Sequence, residues 1–425
     1  MLENSQFSLF HPEGCLTASE FRQAIKKRIL GLMAQGIKKG DLILLEPYDP
    51  LETLKTLMAL IELKAITALI NPKLPKVLRS ILLDKLGPHK TLLTVEDLEG
   101  CYAFVPPDEA SPSILMATSG SSGHPQWIVQ SLAQWKSSVE GTLKAFKATC
   151  YEPWLLSLPL FHVSGLSIFF RALLANAPLV IDKTPWGSWP YHLSMIPLQL
   201  AQKNKQGTHF PLLKMKALLI GGGKTPEALW KIFRHYPLYL TYGMTEACSQ
   251  ITMSEPRPVT LHEGEALLYR EVQVDQKGHI FIKGPSISDY AWNKGHLIPL
   301  KNRDGFYKTG DVGKFIQGRL TLLGREDERI EIMGEKIYPY VLENCLLSTE
   351  YFSKVIITHI LDPHHKTLII AFVFPLPTEE QKNHIKTLTG SLFSPSAYFE
   401  INKEELEIKI PLYTLKQRAA QALCG

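Results

Sequence analysis

The chain has no C-x-x-C pair, no low-complexity tract, no internal repeat and no dense run of lysine or arginine. Its six cysteines (Cys15, Cys101, Cys150, Cys248, Cys345, Cys424) are scattered. A disulfide framework or a zinc cage needs closer or regular spacing, so both are excluded and a reducing compartment is expected. The basic excess is small, 46 Lys and Arg against 41 Asp and Glu in 425 residues. Nucleic acid is therefore not expected as a partner, while room is left for an anionic small ligand held by a local site. The opening MLENSQFSLFHPEG has neither a basic n-region nor an apolar h-region, so no signal peptide is expected and the protein is assigned to the cytoplasm. From Pro153 to Phe170 there is no Asp, Glu, Lys or Arg, which meets a crude criterion for a membrane span. Pro159, His162, Ser164 and Gly165 interrupt that run and favour a strand, a turn and a helix start instead.

What is present is a globular composition, 45% hydrophobic and 20% charged, at a length that suits two or three units. Thr17 and Glu20 form a capping-box pattern ahead of an amphipathic helix through about Met33. Asp41 to Glu46 (DLILLE) predicts a buried strand, Pro50 to Lys64 a second helix, and Ala68 to Ile70 another strand closed by Asn71-Pro72. Strand, helix, strand in this order argues for a parallel α/β sheet with right-handed crossovers. The grammar repeats where Ile114–Ala117, Ala217–Ile220 and Leu238–Thr241 each run into a motif. Beyond about Gln273 shorter alternating strands, such as His279 to Ile282, with a turn at Gln317-Gly318, predict an antiparallel or barrel-like subdomain. A small final unit is expected from Asp327, with a helix after Pro339 and a strand pair, Lys354 to Leu361 and Leu368 to Phe374, across DPHHK. The layout is a large α/β body, residues 1–326, and a small α+β lid, residues 327–425.

Several segments carry chemistry. Thr118-Ser119-Gly120-Ser121-Ser122-Gly123-His124-Pro125 follows a strand directly. Small residues in series let backbone approach a polyphosphate and offer N–H and O–H donors. A surface loop is the plain alternative, which the strand context disfavours; the segment is not a G-x-x-x-x-G-K-[ST] loop. His162 in LPLFHVSG is either a hydrogen-bonded core residue or a ligand-facing one. Gly221-Gly222-Gly223 is a tight turn or bare backbone on which a flat base can lie. Tyr242-Gly243-Met244-Thr245-Glu246 gathers a ring, a hydroxyl and a carboxylate at a sheet's carboxyl edge, where α/β folds bind ligands; a core Tyr and a helix start would explain it equally. Asp311 in KTGD suits ribose hydroxyls or a simple turn. GREDERI, with Arg325 and Asp327, has a solvated linker as its ordinary reading.

The order of these segments resembles the superfamily of acyl-CoA synthetases, peptide-synthetase adenylation domains and luciferases. The likeness covers nearly the whole chain, through TSGSSGHP, LPLFHVSG, LIGGG, YGMTE, GHIFIKGP, FYKTGD and GREDERIEIMGEKIYP. It implies an acid–thiol ligase that makes an acyl-adenylate from ATP with Mg2+ and then a coenzyme A thioester of a small carboxylic acid. It further implies that Thr118, Ser119, Gly120, Ser121, Ser122 and Gly123 wrap the β- and γ-phosphates. Gly221, Gly222, Gly223 and Tyr242 would sandwich adenine, Thr245 would reach the α-phosphate and Glu246 would hold Mg2+. Asp311 would bind the ribose with Arg325 beside it, His162 would line and gate the carboxylate pocket, and Asp327 would be the hinge.

The family also uses a lysine near the C-terminus that contacts the substrate carboxylate and the α-phosphate. Here the tail reads Glu407-Ile408-Lys409-Ile410-Pro411, and Lys409, at the matching distance, is taken as that catalytic lysine, with Lys416 or a plain surface lysine as the alternatives. Two departures are visible. Gln126 replaces the usual lysine after the loop's proline, and Ile408 replaces the glycine before Lys409. They prompt the alternative of a degenerate, non-catalytic adenylate-binding homologue. A serine hydrolase pairing of Ser121 or Ser164 with His162 lacks a G-x-S-x-G elbow. LPLFHVSG and the compact EIKI tail resemble the o-succinylbenzoate–CoA ligases of menaquinone biosynthesis, although IMGEKIYP departs from that group's SGGENIQP-like segment; other aryl- or acyl-CoA ligases are the alternative.

Overall fold

The computed structural model describes residues 6–92, 95–102, 106–118, 125–181, 191–205, 215–364, 366–402, 405 and 412–424. The expected capping box is present: the Thr17 hydroxyl accepts from the Glu20 N–H, and Glu20 accepts the Thr17 N–H at 2.8 Å. Such a cap contributes about 1 kcal/mol to the helix it starts. That helix, Ala18–Ala34, buries Phe21, Ile25, Ile29 and Leu32 along one stripe. Asp49 caps the next helix, Pro50–Glu62, which ends earlier than expected because Lys64 takes a left-handed backbone (φ 58°). The strands Leu42–Leu45 and Ile66–Leu69 on either side of it pair in parallel, as the crossover argument requires.

Two large sheets result. One has nine strands among the described residues, with Trp154–Leu156, Leu179–Ile181, Tyr191–Met195, Met215–Ile220 and Leu238–Met244 running parallel at its centre. The other has seven and is built around Leu42–Leu45, Ile66–Leu69, Pro112–Ala117 and Trp127–Ser131. The helices Pro50–Glu62 and Val163–Leu174 share one hydrophobic core with residues of both sheets, including Ile43, Leu69 and Met116 on one side and Leu156, Leu179 and Leu219 on the other. Thr53 to Glu62 and Gly165 to Leu173 are buried on every face. A helix sandwiched between sheets has no solvent side, which is why the run from Pro153 to Phe170 carries no charge. Its explanation is burial in protein: no helix among the described residues is long and apolar enough to cross a membrane.

The expected barrel-like part is a four-stranded antiparallel sheet of Glu271–Val274, His279–Lys283, Tyr307–Ile316 and Arg319–Arg325. Its last hairpin closes through Gln317 (φ 51°) and Gly318 (φ 78°), the two left-handed residues of a type I′ turn. From Ile330 onward the chain builds separate hydrophobic clusters, such as Ile330, Leu342, Leu346, Phe352, Ile357 and Val373. The predicted strand pair is present as Lys354–Leu361 and Thr367–Phe374, antiparallel over its whole length, with Ala397–Glu400 added in parallel. The helix Pro339–Leu347 packs on this sheet.

At the amino-terminal edge of the central parallel strands, Glu152 ties three of them together. It pairs with His192 Nε2 at 3.2 Å and Lys216 Nζ at 2.9 Å, and accepts the Thr149 N–H. His192 stacks on Trp154 at 4.2 Å. The bond from His192 is the largest influence on the Glu152 carboxyl and, with Lys216, pulls it down to about 2 against the cost of burial. A depressed carboxyl stabilises the fold above its unfolded pKa near 4.5, and that contribution fades as pH falls toward about 2. Glu152→Gln is expected to lower the urea-unfolding free energy by roughly 2–3 kcal/mol at pH 7. Denaturation curves of the two proteins should converge as the pH is lowered; a constant gap would remove the electrostatic explanation.

Candidate active site

The strands Met215–Ile220 and Leu238–Met244 lie side by side in parallel, with Ile220 opposite Leu240. Gly221–Gly223 and Tyr242 therefore leave the sheet at one edge. A side chain at Gly221 would put its Cβ 2.6 Å from Thr241 Cγ2, and Gly222 has φ 75°. Only glycine fits both demands, and the result is bare backbone beside an aromatic residue.

The strand through Tyr242 runs further than expected, to Met244, because it pairs with the returning strand Ser249–Met253. The pairing slips by one residue between Tyr242 and Gly243. There a Cβ on Gly243 would lie 2.1 Å from the Ser249 carbonyl oxygen. Between the strands Thr245–Ala247 forms a single tight turn, followed by Cys248 at φ 50° and Ser249 at φ 105°. Two non-glycine residues with positive φ in succession mark strain held in place by the surrounding contacts.

Tyr242, Glu246, Tyr307, Asp311 and Arg325 are drawn together by these elements. The Tyr242 hydroxyl donates to Asp311 Oδ2 at 2.7 Å, and the Tyr307 hydroxyl to Glu246 Oε1 at 3.1 Å. Arg325 Nη1 lies 3.5 Å from the other Asp311 oxygen, and its Nε donates to Asp327 at 3.0 Å. Gly310 (φ 76°) lets the arginine pack closely, since a Cβ there would come within 2.9 Å of Arg325 Nη2. Burial pushes the carboxyls of Glu246 and Asp311 up and the hydroxyl of Tyr242 well up. The two acids also raise one another's neighbours, with Arg325 the opposing charge. Two half-buried carboxylates around one guanidinium leave an excess of negative charge that a hard cation would relieve.

The hairpin Pro112–Ala117 and Trp127–Ser131 sets its second strand against the Thr245 turn. Gln130 Nε2 donates to the Thr245 carbonyl at 2.7 Å. Thr118 pairs with Gln126, its N–H on the Gln126 carbonyl at 2.8 Å and its hydroxyl accepting the Gln126 N–H at 3.0 Å. Ser119, Gly120, Ser121, Ser122, Gly123 and Lys409 lie outside the described residues. His162 is the exposed N-cap of the helix Val163–Leu174, with its ring 4.7 Å from that of Phe161.

Further along that helix is a group that sequence reasoning missed. Arg171 is 2% exposed, and its Nη2 reaches Ser249 Oγ at 3.2 Å and Gln250 Oε1 at 2.9 Å. Among the described residues its Nε has no hydrogen-bond partner and no carboxylate acts on it. Burial, with Arg270 adding to it, brings the guanidinium down to about 9. Arg270 meets the carbonyls of Gln250, Leu268 and Ser138. The available signal was that Arg171 ends the charge-free run. Tyr307 was also missed, although FYKTGD contains it.

A family model described as AMP-binding enzyme matches residues 75–289, half of the chain. The chain belongs to that family. It is 30% identical to the 2-succinylbenzoate–CoA ligase of Escherichia coli K12 over 78% of this chain and 76% of that one. The Bacillus subtilis o-succinylbenzoate CoA synthetase in complex with the acyl-adenylate intermediate OSB-AMP has the same fold, with a TM-score of 0.82 at 24% identity over 96% of this chain and 94% of that one. A double mutant of that enzyme bound with its product analogue OSB-NCoA gives 0.66 at 23% identity over 95% and 94%. The protein is an AMP-forming, adenylate-forming CoA ligase with the mixed α/β fold of these enzymes.

Gly243→Ala forces the strand and its returning partner apart and is expected to cost about 2–3 kcal/mol, the upper range for overpacking. Thermal or urea unfolding measures it; a variant as stable as wild type would mean that the slipped pairing is not rigid.

Proposed function

We propose that this ligase activates 2-succinylbenzoate as a step of menaquinone biosynthesis. Arg171 is the observation that carries the reading. A guanidinium still charged at pH 7 and buried without a carboxylate is costly to keep. A substrate with a second carboxylate would supply the missing partner, while a benzoate or a fatty acid would not. The 2-succinylbenzoate–CoA ligases among the relatives support the same choice.

In this reading residues 1–326 form the body and 327–425 a lid turning about Asp327. Gly221, Gly222, Gly223 and Tyr242 flank adenine, Asp311 accepts the ribose hydroxyls, and Arg325 offsets its charge. Thr118, with Ser119 to Gly123, cradles the β- and γ-phosphates, and Thr245 donates to the α-phosphate. Glu246 would hold Mg2+, a hard cation that a carboxylate together with substrate phosphates suits. When bound, the ion would offset phosphate charge. The carboxylate, lined by His162, attacks the α-phosphorus, pyrophosphate leaves, and Lys409 supplies a cation to both reacting groups. The lid then swings so that the thiol of coenzyme A, giving up its proton, attacks the acyl carbon of the anhydride and AMP leaves. We assign the lid arrangement seen here to the first step, an assignment supported by the closer overlay on the acyl-adenylate complex.

Thioester formation with 2-succinylbenzoate, benzoates and fatty acids, alongside acid-dependent exchange of pyrophosphate into ATP, tests the substrate. 2-Succinylbenzoate is expected to be preferred. Arg171→Met should lower its kcat/KM by about 10- to 100-fold, the worth of a charged hydrogen bond, with benzoate little affected. Equal losses for both acids, or a wild type that prefers a monocarboxylate, would overturn the reading. Lys409→Ala should abolish most pyrophosphate exchange while sparing thioester formation from supplied adenylate. If both half-reactions survive that change, the tail lysine is misassigned.

A further inference from the structure

Lys224 follows directly on Gly221–Gly223, and its side chain turns inward. Its ammonium donates to the Leu322 carbonyl and lies 3.3 Å from the centre of the Tyr340 ring. Tyr340 belongs to the helix Pro339–Leu347, on the far side of Asp327. Two acids face the same ammonium, Glu263 from the body and Glu343 from that helix. Glu263 accepts the Leu322 N–H at 2.9 Å, so Leu322 is held by both its polar groups. Glu343 accepts the Ile357 N–H at 2.9 Å and sits one helical turn from Tyr340. Leu322 lies in the strand Arg319–Arg325, which runs straight into the hinge. One lysine thus joins the adenine loop, the strand leading to the hinge and the first helix of the lid.

Burial opposes every charge in this group. Burial lowers Lys224 to about 8, against the pull of Glu263 and Glu343. Burial raises Glu343 to about 7, Tyr340 to about 12 and Glu263 above its ordinary value. A cation on an aromatic face gains from the ring while losing water, and it regains that water when the ring departs. Near-cancellation of this kind suits a contact that must be made and broken in every turnover, and would be a poor design for a permanent fastening.

We propose that Lys224 is a positioning residue for the adenylation step, a clamp whose contact with the Tyr340 ring holds the lid against the adenine loop in the arrangement seen here. The proposal rests on the two-step reading of the lid given above. The clamp acts through Tyr340 and Glu343 and touches no reacting atom. Its position next to Gly221–Gly223 also means that the nucleotide loop and the lid helix cannot move independently while it is closed.

Lys224→Met keeps most of the stem and removes the charge; Tyr340→Ala removes the ring and Tyr340→Phe keeps it. Pyrophosphate exchange reports adenylation, and coenzyme A thioester formed from supplied acyl-adenylate reports the second step. Lys224→Met and Tyr340→Ala are each expected to slow exchange about tenfold and to leave the second step unchanged or faster. Tyr340→Phe should behave as wild type, and the double variant Lys224→Met/Tyr340→Ala should be no slower than either single one. Equal loss in both steps, losses that multiply in the double variant, or no change in exchange would each overturn the clamp. Wild type carrying out both steps keeps the ligase reading intact whatever the variants do, so the two can fail separately. Dyes on body and lid give a readout without turnover: the distance distribution of the resting protein should widen in Lys224→Met and Tyr340→Ala and stay as in wild type in Tyr340→Phe.

Discussion

The hydrogen bond between Tyr242 and Asp311 joins residues 69 positions apart and ties the nine-stranded sheet to the four-stranded one. Everything around the site hangs from that registration. Tyr242 stands at the end of a central strand whose direction is set by parallel pairing, so the four-stranded sheet is held at the sheet's carboxyl edge. Arg325 then reaches Asp311 from the next strand, and Asp327 accepts from Arg325, so the segment through Asp327 is anchored to the same bond. Glu246 is brought in by Tyr307, which lies on the strand that also carries Asp311. Because burial raises both acids, the cluster disfavours its own negative charge and gains from any cation brought to it.

The middle layer imposes a second constraint. Helices packed between two sheets have apolar surface all round, and a polar group there must find partners inside the protein. Among the described residues Arg270 finds three carbonyls, while Arg171 finds two side-chain oxygens and leaves its Nε without a partner. The neighbouring Ser249 is held at φ 105°. An unmet donor and a strained residue in contact are the pair of features expected where a fold has been shaped around something other than its own stability.

At the junction with residues beyond Asp327, the contacts are of another kind. Lys308 and His279 both pair with Glu326, at 2.7 and 3.0 Å, which keeps the residue just before Asp327 on the four-stranded sheet. Past Asp327, the core clusters among the described residues draw on residues from Ile330 onward. A part with its own core and a few polar contacts to its neighbour can be repositioned without unfolding.

Much of this was legible in the sequence because it depends on neighbours along the chain. The capping box at Thr17, the type I′ turn at Gln317-Gly318, the strand pair across DPHHK and the glycines of GGG follow from local backbone demands. The ordered motifs implied a nucleotide site and an adenylate-forming family for the same reason: phosphate and base contacts use short runs at strand ends. Arg171 was not legible, since a lone arginine after an apolar run looks the same whether its head reaches water or is walled in by a strand 78 residues away. Nor was the extension of the Tyr242 strand to Met244, which exists only because Ser249–Met253 returns beside it, or the seat of Lys224 on Tyr340. Sequence alone determined the elements and the chemistry available at their ends; tertiary structure decided which charges are buried together, because burial depends on partners that the chain order does not bring near.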